Sequence, residues 1–469
     1  VIATIARREL LEWLRDGRLR WLCGGCLVLM LVVGLVGWQS MLAQDADRAA
    51  AVRQDTDNFL GQGAKNPHSA AHFGQYAFRP VLRPAAIDPG VAPWMGSMVW
   101  MEAHRRNLAE FRPAEDGAGH RQSASLSVAW VLQYLVPLLV IMLGFAAVAG
   151  ERERGTLSLL LSQGLSLRKL ALGKASALLV AVVALLLPGI LGMLLLRPGG
   201  DGARLAWMGA AYVLYVLSFV GVVLCVSLVA RAARTALAVL LLGWVLLVVL
   251  VPRVATDVAA ARHPVPAATA FWAGIRRGEG AAPPVSEQPE ERAAALRAAV
   301  MAELLARHGV SRVEDLPVNF TAVYLQRLEE ADAPVFDFAY GRLWAAQEAQ
   351  RRVRSTVGAL SPLVPLRELS MALAGTDPFA LRHFGEAAEA HRRRLVAALN
   401  GTQARDGAGR AFYVAPADTW ARMPVFDYAP PSVAEILQRH RADLALLLAW
   451  AVVPLGFVAW LSGRRRELR

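Results

Sequence analysis

The 469-residue chain is 55% hydrophobic and only 19% charged, with a mean hydropathy of +0.37, whereas soluble domains carry about 25% charge. That balance excludes a disordered chain, a coiled coil and a purely soluble enzyme, and points to a polytopic membrane protein with substantial soluble parts. The net charge is +12, and with Lys65, Lys169 and Lys174 as the only lysines it is almost entirely arginine, clustered beside apolar spans rather than arranged for nucleic acid.

The first 20 residues predict an interfacial helix, with Ile2, Ala6, Leu10, Trp13 and Leu14 on one face and Arg8, Glu12, Arg15 and Asp16 on the other. Six segments then have the length and apolarity of spanning helices. The first covers 21–38, with a tryptophan at each edge. The second covers 126–149, the third to fifth lie within 172–254, and the sixth covers 444–462. No small-residue cleavage site follows Trp38, so the first span is expected to be retained rather than removed as a signal peptide.

Arginine and lysine clusters precede the first span and lie at 152–169 and 231–234, and a basic tail at 463–469 ends the chain. With six spans, the positive-inside rule puts all of these clusters, and both termini, in the cytoplasm. Residues 39–125 and 255–443 then face outward, and 197–204 is a tight turn containing Pro198-Gly199-Gly200. The larger outer segment reads as a mainly helical domain. Helices are expected at Glu290–His308, Phe320–Glu330, Phe336–Val357 and Pro378–Leu399, with Ser361-Pro362 and Pro365 breaking the pattern, a proline-containing linker at Gly280–Pro289 and a loop at Gly401–Gly409. No stretch shows convincing strand alternation. The predicted fold class is therefore an all-α polytopic membrane protein with six transmembrane helices and a mainly helical periplasmic domain between the fifth and sixth.

The centres of the spans hold no ionisable residue; Gln133, Tyr134, Tyr212, Tyr215 and Ser218 are their main polar groups. Intramembrane charges mark proton and ion pathways, so a proton-driven transporter and a paired-aspartate protease are both disfavoured. Gly173-Lys174 resembles the end of a phosphate loop, but Arg168 stands where the first glycine is needed and Ala175 where serine or threonine is needed. The chain is accordingly read as having no ATPase site and no cofactor of its own.

The segment 150–171 carries the strongest local signal. It contains Glu151-Arg152-Glu153-Arg154-Gly155-Thr156-Leu157, then a short apolar run to Ser162, with Gly164 as a stop. Gly155 permits a sharp turn, Thr156 can cap a helix, and Leu157, Leu159, Leu160 and Leu161 give that helix an apolar surface too short to span. Such a helix needs a partner to bury it, either the protein's own inner face or a groove in another subunit.

This run resembles the loop after the second span in ABC transporter permeases of the type-two exporter class, and the six-span plan with a leading amphipathic helix resembles that class too. Leu316-Pro317-Val318-Asn319-Phe320, Ser361-Pro362-Leu363, Gly375-Thr376-Asp377, His72-Phe73-Gly74 and Glu102-Ala103-His104 resemble a subgroup with large periplasmic insertions, related to permeases of multicopper-enzyme maturation. The resemblance implies a bacterial inner-membrane permease. Its coupling segment would comprise Glu151, Glu153, Gly155, Thr156, Leu157, Leu160 and Ser162. It would pair with a second permease, identical or related, and a separate subunit would bind ATP and Mg. By the same analogy Gln133, Tyr134 and Pro137 are candidate path residues. An alternative within the same frame is a mechanical transmitter acting on a periplasmic partner without transport; a membrane enzyme is less favoured, since no catalytic constellation stands out.

The remaining signals are weaker. Cys23 and Cys26 share a helical face inside an apolar span, beside small residues that suit packing. His68 and His72, four residues apart, match metal-ligand spacing on a helix, with Pro67 as a helix start. His383 and His391, with Glu386, form a second such group. Neither shows a complete ligand set.

Overall fold

A computed structural model describes residues 1–112, 126–195, 201–280, 289–410 and 412–464. The Pro198-Gly199-Gly200 turn, most of the proline-containing linker and the last arginines of the tail lie outside the described residues. Helix dominates, and among the described residues six helices are long and apolar enough to cross a membrane, so the chain is a multi-pass membrane protein.

The amphipathic α1 (Ile2–Arg15) ends at Asp16, and Gly17, at φ 84°, turns the chain into α2 (Arg18–Leu60). The apolar stretch of α2 stops near Trp38 as expected, but the helix does not. Residues 39–60 contain five alanines and five glutamines and arginines, with no glycine or proline, so the 43-residue helix continues past the span to Gly61. Membrane boundary and helix boundary are separate events here.

The segment between the first and second spans, expected on the outer side, is more structured than its sequence suggests. A short helix, α3 (Pro67–Phe73), starts at the expected proline and is capped by the Asn66 side chain. Three antiparallel strands follow: β1 (Gln75–Phe78), β2 (Met98–Glu102) and β3 (Arg105–Arg106). With five residues at most, they are too short for period-two alternation to stand out, yet Ala77, Val99 and Met101 alternate into the core beside Phe384.

The second span is α4 (Val128–Glu153), the third begins α6 (Leu167–Leu195), the fourth is α7 (Gly202–Val229) and the fifth α8 (Ala233–Arg262). Between α4 and α6 lies α5 (Thr156–Ser162). The segment between the fifth and sixth spans, expected to be the larger outer one, holds α9 (Ala268–Arg276), α10 (Pro289–His308), α11 (Phe320–Val357), α12 (Leu363–Ala374), α13 (Pro378–Asp406) and α14 (Val433–Arg439), before α15 (Arg441–Arg464) forms the sixth span. The two helices expected at 320–330 and 336–357 are one, running through Pro334. The loop expected from Gly401 begins only at Gly407, because α13 continues to Asp406.

The motif residues of the outer segment act as joints. Asn319 caps α11 through Ala322 N–H at 3.0 Å and donates to the Gly407 and Arg410 carbonyls beyond α13. Asp377 caps α13, and the Thr376 hydroxyl donates to the Asp88 carbonyl at 3.0 Å. The Ser361-Pro362 break, read only as an interruption, instead launches α12. Leu363, Leu366, Leu369 and Leu373 of α12 are fully buried in the same core as the spans. Arg204 at the start of α7 fastens this helix by donating to the Leu373 carbonyl at 3.2 Å and to the Pro431 carbonyl.

Proline explains the irregular parts of the spans. Pro137 has no N–H, so the backbone of α4 widens into a π-turn over Val131–Leu135 just before it. The Gln133 carbonyl, four residues earlier, accepts instead from the Tyr215 hydroxyl of α7 at 2.7 Å, and Trp244 of α8 donates to the Tyr134 carbonyl at 3.2 Å. Pro252 follows a second π-turn, Val245–Leu250, and there the Leu247 carbonyl accepts from Ser361. In lipid every freed carbonyl needs such a donor. At the α7–α15 contact Gly221 lies against Pro454, where an added Cβ would come within 2.8 Å of the proline ring.

Tyr215→Phe removes the hydroxyl while keeping the ring. We expect it to destabilise the bundle by about 1 kcal/mol, read as a lower unfolding midpoint in detergent; an unchanged midpoint would mean that the Gln133 carbonyl has another donor.

Candidate functional site

The Glu151–Thr156 run is the junction of nearly every element at the amino-terminal face. Lys174, on α6, is 3% exposed and reaches two buried carboxylates, Glu9 of α1 at 2.7 Å and Glu151 at 3.2 Å. Glu151 also accepts from the Thr156 hydroxyl and lies 3.4 Å from Arg154. One ammonium thus joins the amphipathic helix, the third span and the end of the second. The approach is close because residue 173 is glycine: a Cβ there would meet Ile5 at 2.6 Å. The Gly173-Lys174 pair that mimics a phosphate loop is a docking site for α1.

The neighbouring charges bind two further spans, the fourth and the fifth. Arg152 donates to the Leu228 carbonyl at 2.8 Å and to the Ala230 carbonyl, at the carboxyl end of α7, and Glu153 accepts from Ala233 N–H at 2.9 Å, at the amino end of α8. Each charge complements the helix terminus it faces. Ser227 completes the joint: its hydroxyl accepts from Val148 and Ala149 N–H and donates to the Phe145 carbonyl.

From this anchored base Gly155, at φ 74°, turns the chain into α5, and Gly164, at φ 87°, turns it out. Gly155 rather than Thr156 occupies the cap position, leaving the Thr156 hydroxyl for Glu151. Leu157 is buried in the protein's own core, Leu160 and Leu161 are partly covered, and Leu159 is 57% exposed. Ser162, exposed, donates to the Leu159 carbonyl. The apolar side chain that α5 offers outward is therefore Leu159, which the coupling segment read from the sequence left out, and not Leu157, which it included and which is buried.

The candidate path residues divide. Gln133 and Pro137 face into the bundle, and the Gln133 amide donates to the Tyr212 hydroxyl at 3.0 Å. Tyr212 continues to Ser370 of α12 at 3.1 Å, and Ser370 donates to Asp88 at 2.5 Å. Burial pushes the Asp88 carboxyl above its ordinary value, against the hydrogen bonds from Ser370 and Gly90. Tyr134 is only partly buried and stacks on Trp130.

Of the histidine candidates, His383 and His391 do not form a cluster. His383 contacts the Tyr428 hydroxyl at 3.0 Å, whereas His391 is fully buried against Phe426. Burial, with the nearby Arg394 charge, holds His391 at about 4, so it is neutral at physiological pH. His68 and His72 do meet a third histidine, His104, from the β2–β3 turn. Cys23, Cys26 and Cys225 are unbridged.

Residues 268–429, most of the segment between the fifth and sixth spans, match a family described as a domain of unknown function, DUF3526. It is a family of permeases associated with ABC transporters. No curated protein matches the chain. The matched stretch contains the joints at Asn319, Ser361 and Thr376-Asp377 but not the Lys174 junction.

Replacing Lys174 by Met would leave Glu9 and Glu151 buried without their shared cation, a change that costs about 3–5 kcal/mol for a buried pair. We expect α1 to detach, read as faster trypsin cleavage at Arg7 and Arg8 and a lower unfolding midpoint. Glu9→Gln should do less, since Lys174 keeps Glu151. Unchanged proteolysis in Lys174→Met would remove the triad's anchoring role.

Proposed function

We propose that this chain is the membrane-spanning permease subunit of an ATP-driven ABC transporter of the type-two exporter class, in a bacterial inner membrane. Both termini would be cytoplasmic and the large outer segments periplasmic. A separate ATP-binding subunit supplies the ATP and Mg site and docks against α5, and a second permease copy or a related chain completes the membrane path. The observation that carries the reading is α5: a short helix held by two glycine turns, rooted by Glu151, Arg152 and Glu153 in four spans, with Leu159 directed outward. A push on such a helix reaches α6 and α1 through Lys174 and the α7–α8 corner through Arg152 and Glu153.

In this reading the centres of the spans need no charged group of their own because the energy enters at α5. The Gln133–Tyr212–Ser370–Asp88 chain connects the bundle to the outer segment, so rearrangement of α4 against α7 is felt by α12.

A second reading keeps the same docking but has the outer segments do mechanical work on a periplasmic partner, with nothing crossing the membrane. What favours it is that α2 and α8 run unbroken from their spans into the outer segments, with Gln350 of α11 donating to the His263 carbonyl at the end of α8 at 2.7 Å. Vesicle transport with the outer segment crosslinked separates the two.

Leu159→Glu puts a charge on the exposed apolar position without touching the buried Leu157. We expect it to weaken recovery of the ATP-binding subunit roughly tenfold or more, as for loss of an interface anchor worth about 2 kcal/mol, with the chain still folded. Undiminished co-purification and ATP turnover would overturn docking at α5.

A further inference from the structure

His68 and His72 lie one turn apart on α3, and His104 sits in the two-residue turn between β2 and β3. The three rings are 4.7, 5.1 and 5.3 Å apart between centroids, and each offers a nitrogen within 4.8 Å of the others. The turn is docked onto the helix by Ala103 N–H, which donates to the Ala71 carbonyl at 3.0 Å. His104 adopts φ 63°, a left-handed conformation that a residue with a Cβ rarely takes. That strain aims its ring at α3.

The far sides of two rings are held by polar groups from the larger outer segment. Asn400, 1% exposed, donates its amide to Gln326 at 3.2 Å, so its oxygen faces His68 Nδ1, at 3.3 Å, as an acceptor. Glu329 Oε1 lies 3.1 Å from His104 Nδ1 and also accepts the His104 backbone N–H, while Oε2 pairs with Arg392 at 2.9 Å. An acceptor behind each ring suits a proton on Nδ1, the tautomer that leaves Nε2 free to ligate. Each Nε2 then presents a lone pair, and the Nε2 atoms of His68 and His104 stand 3.2 Å apart. In that tautomer the two lone pairs converge, an arrangement that a cation between them would stabilise. Two nitrogens bound tetrahedrally to one zinc-sized ion are about 3.3 Å apart, given a metal–nitrogen length near 2.0–2.1 Å.

We propose that His68, His72 and His104 bind one divalent transition-metal cation of the zinc type. The donor set fits that class: three neutral imidazoles suit a borderline cation, and a carboxylate and an amide behind the ligand rings are the outer partners such sites use. His72 is exposed, so the site opens to solvent and leaves a fourth position for water or an incoming ligand. The bound ion would tie α3 and the hairpin to α11 and α13, which carry Glu329 and Asn400. None of this depends on the transport reading.

The test uses the full-length chain in detergent, purified without a histidine tag, stripped with chelator and titrated with Co2+ as the probe. We expect one saturating equivalent, visible absorption bands of a four-coordinate nitrogen site, displacement by Zn2+, and a raised unfolding midpoint. His72→Ala, at an exposed position, and His104→Asn, which keeps a side chain tolerant of the left-handed backbone, should each weaken binding at least about tenfold, and Asn400→Ala by roughly 10–100-fold. His308→Ala, at an exposed histidine elsewhere, should bind as the wild type does. Absence of a saturable equivalent, or equal binding by His72→Ala and His104→Asn, would overturn the site.

Discussion

The architecture at the amino-terminal face depends on one buried ammonium. Lys174 lies between Glu9 and Glu151, and without it two carboxylates would face each other in a site of low dielectric. Because the three side chains come from different helices, satisfying the charge requires the helices to be together. Gly173 lets α1 approach, Thr156 and Arg154 occupy the rest of Glu151, and Arg152 and Glu153 extend the same logic to the ends of α7 and α8. Six consecutive residues thus connect the interfacial helix, four spans and the exposed α5. Charge placed at helix termini, rather than in the lipid core, lets a membrane protein use ionic specificity without the cost of intramembrane charge.

The other organising constraint is the accounting of backbone carbonyls. Pro137 deprives the Gln133 carbonyl of its helical donor and Tyr215 takes its place, and in the π-turn before Pro252 the Leu247 carbonyl accepts from Ser361. The second donor comes from the outer segment. Together with the Tyr212–Ser370 contact and the four buried leucines of α12, it makes the top of the span bundle and the outer segment one packed unit. A hydrophobic core that continues from spans into the outer segment cannot rearrange on one side alone.

The number of spans was legible because lipid imposes a length and an apolarity that composition cannot hide. Helix starts at Pro67 and Pro378 were legible for a similar reason, since proline at the first turn costs nothing there. What escaped was everything that depends on tertiary satisfaction. The continuation of α2 to Leu60 left no hydropathy signal. The strands were too short to alternate, and α12 looked like a proline break because its apolar faces are buried by helices distant in sequence. Glu9 and Lys174 were hidden in other patterns, one in an amphipathic face and one in a failed phosphate loop. An invariant rule of physics, that buried charges are paired, could have raised the question for Lys174 but not named its partners.

The histidines show the same limit more sharply. Spacing proposed two pairs, His68 with His72 and His383 with His391, on equal terms. In the fold the second pair separates, because His391 turns into an apolar pocket beside Phe426 while His383 meets Tyr428. The first pair gains His104 from a strained turn 32 residues further along the chain than His72, and it gains Asn400 and Glu329 from a segment more than 200 residues away. Ligand spacing on one helix specifies at most two donors. The third donor and the acceptors behind the rings come from topology, and it is those groups that distinguish a site poised for a cation from a pair of surface imidazoles.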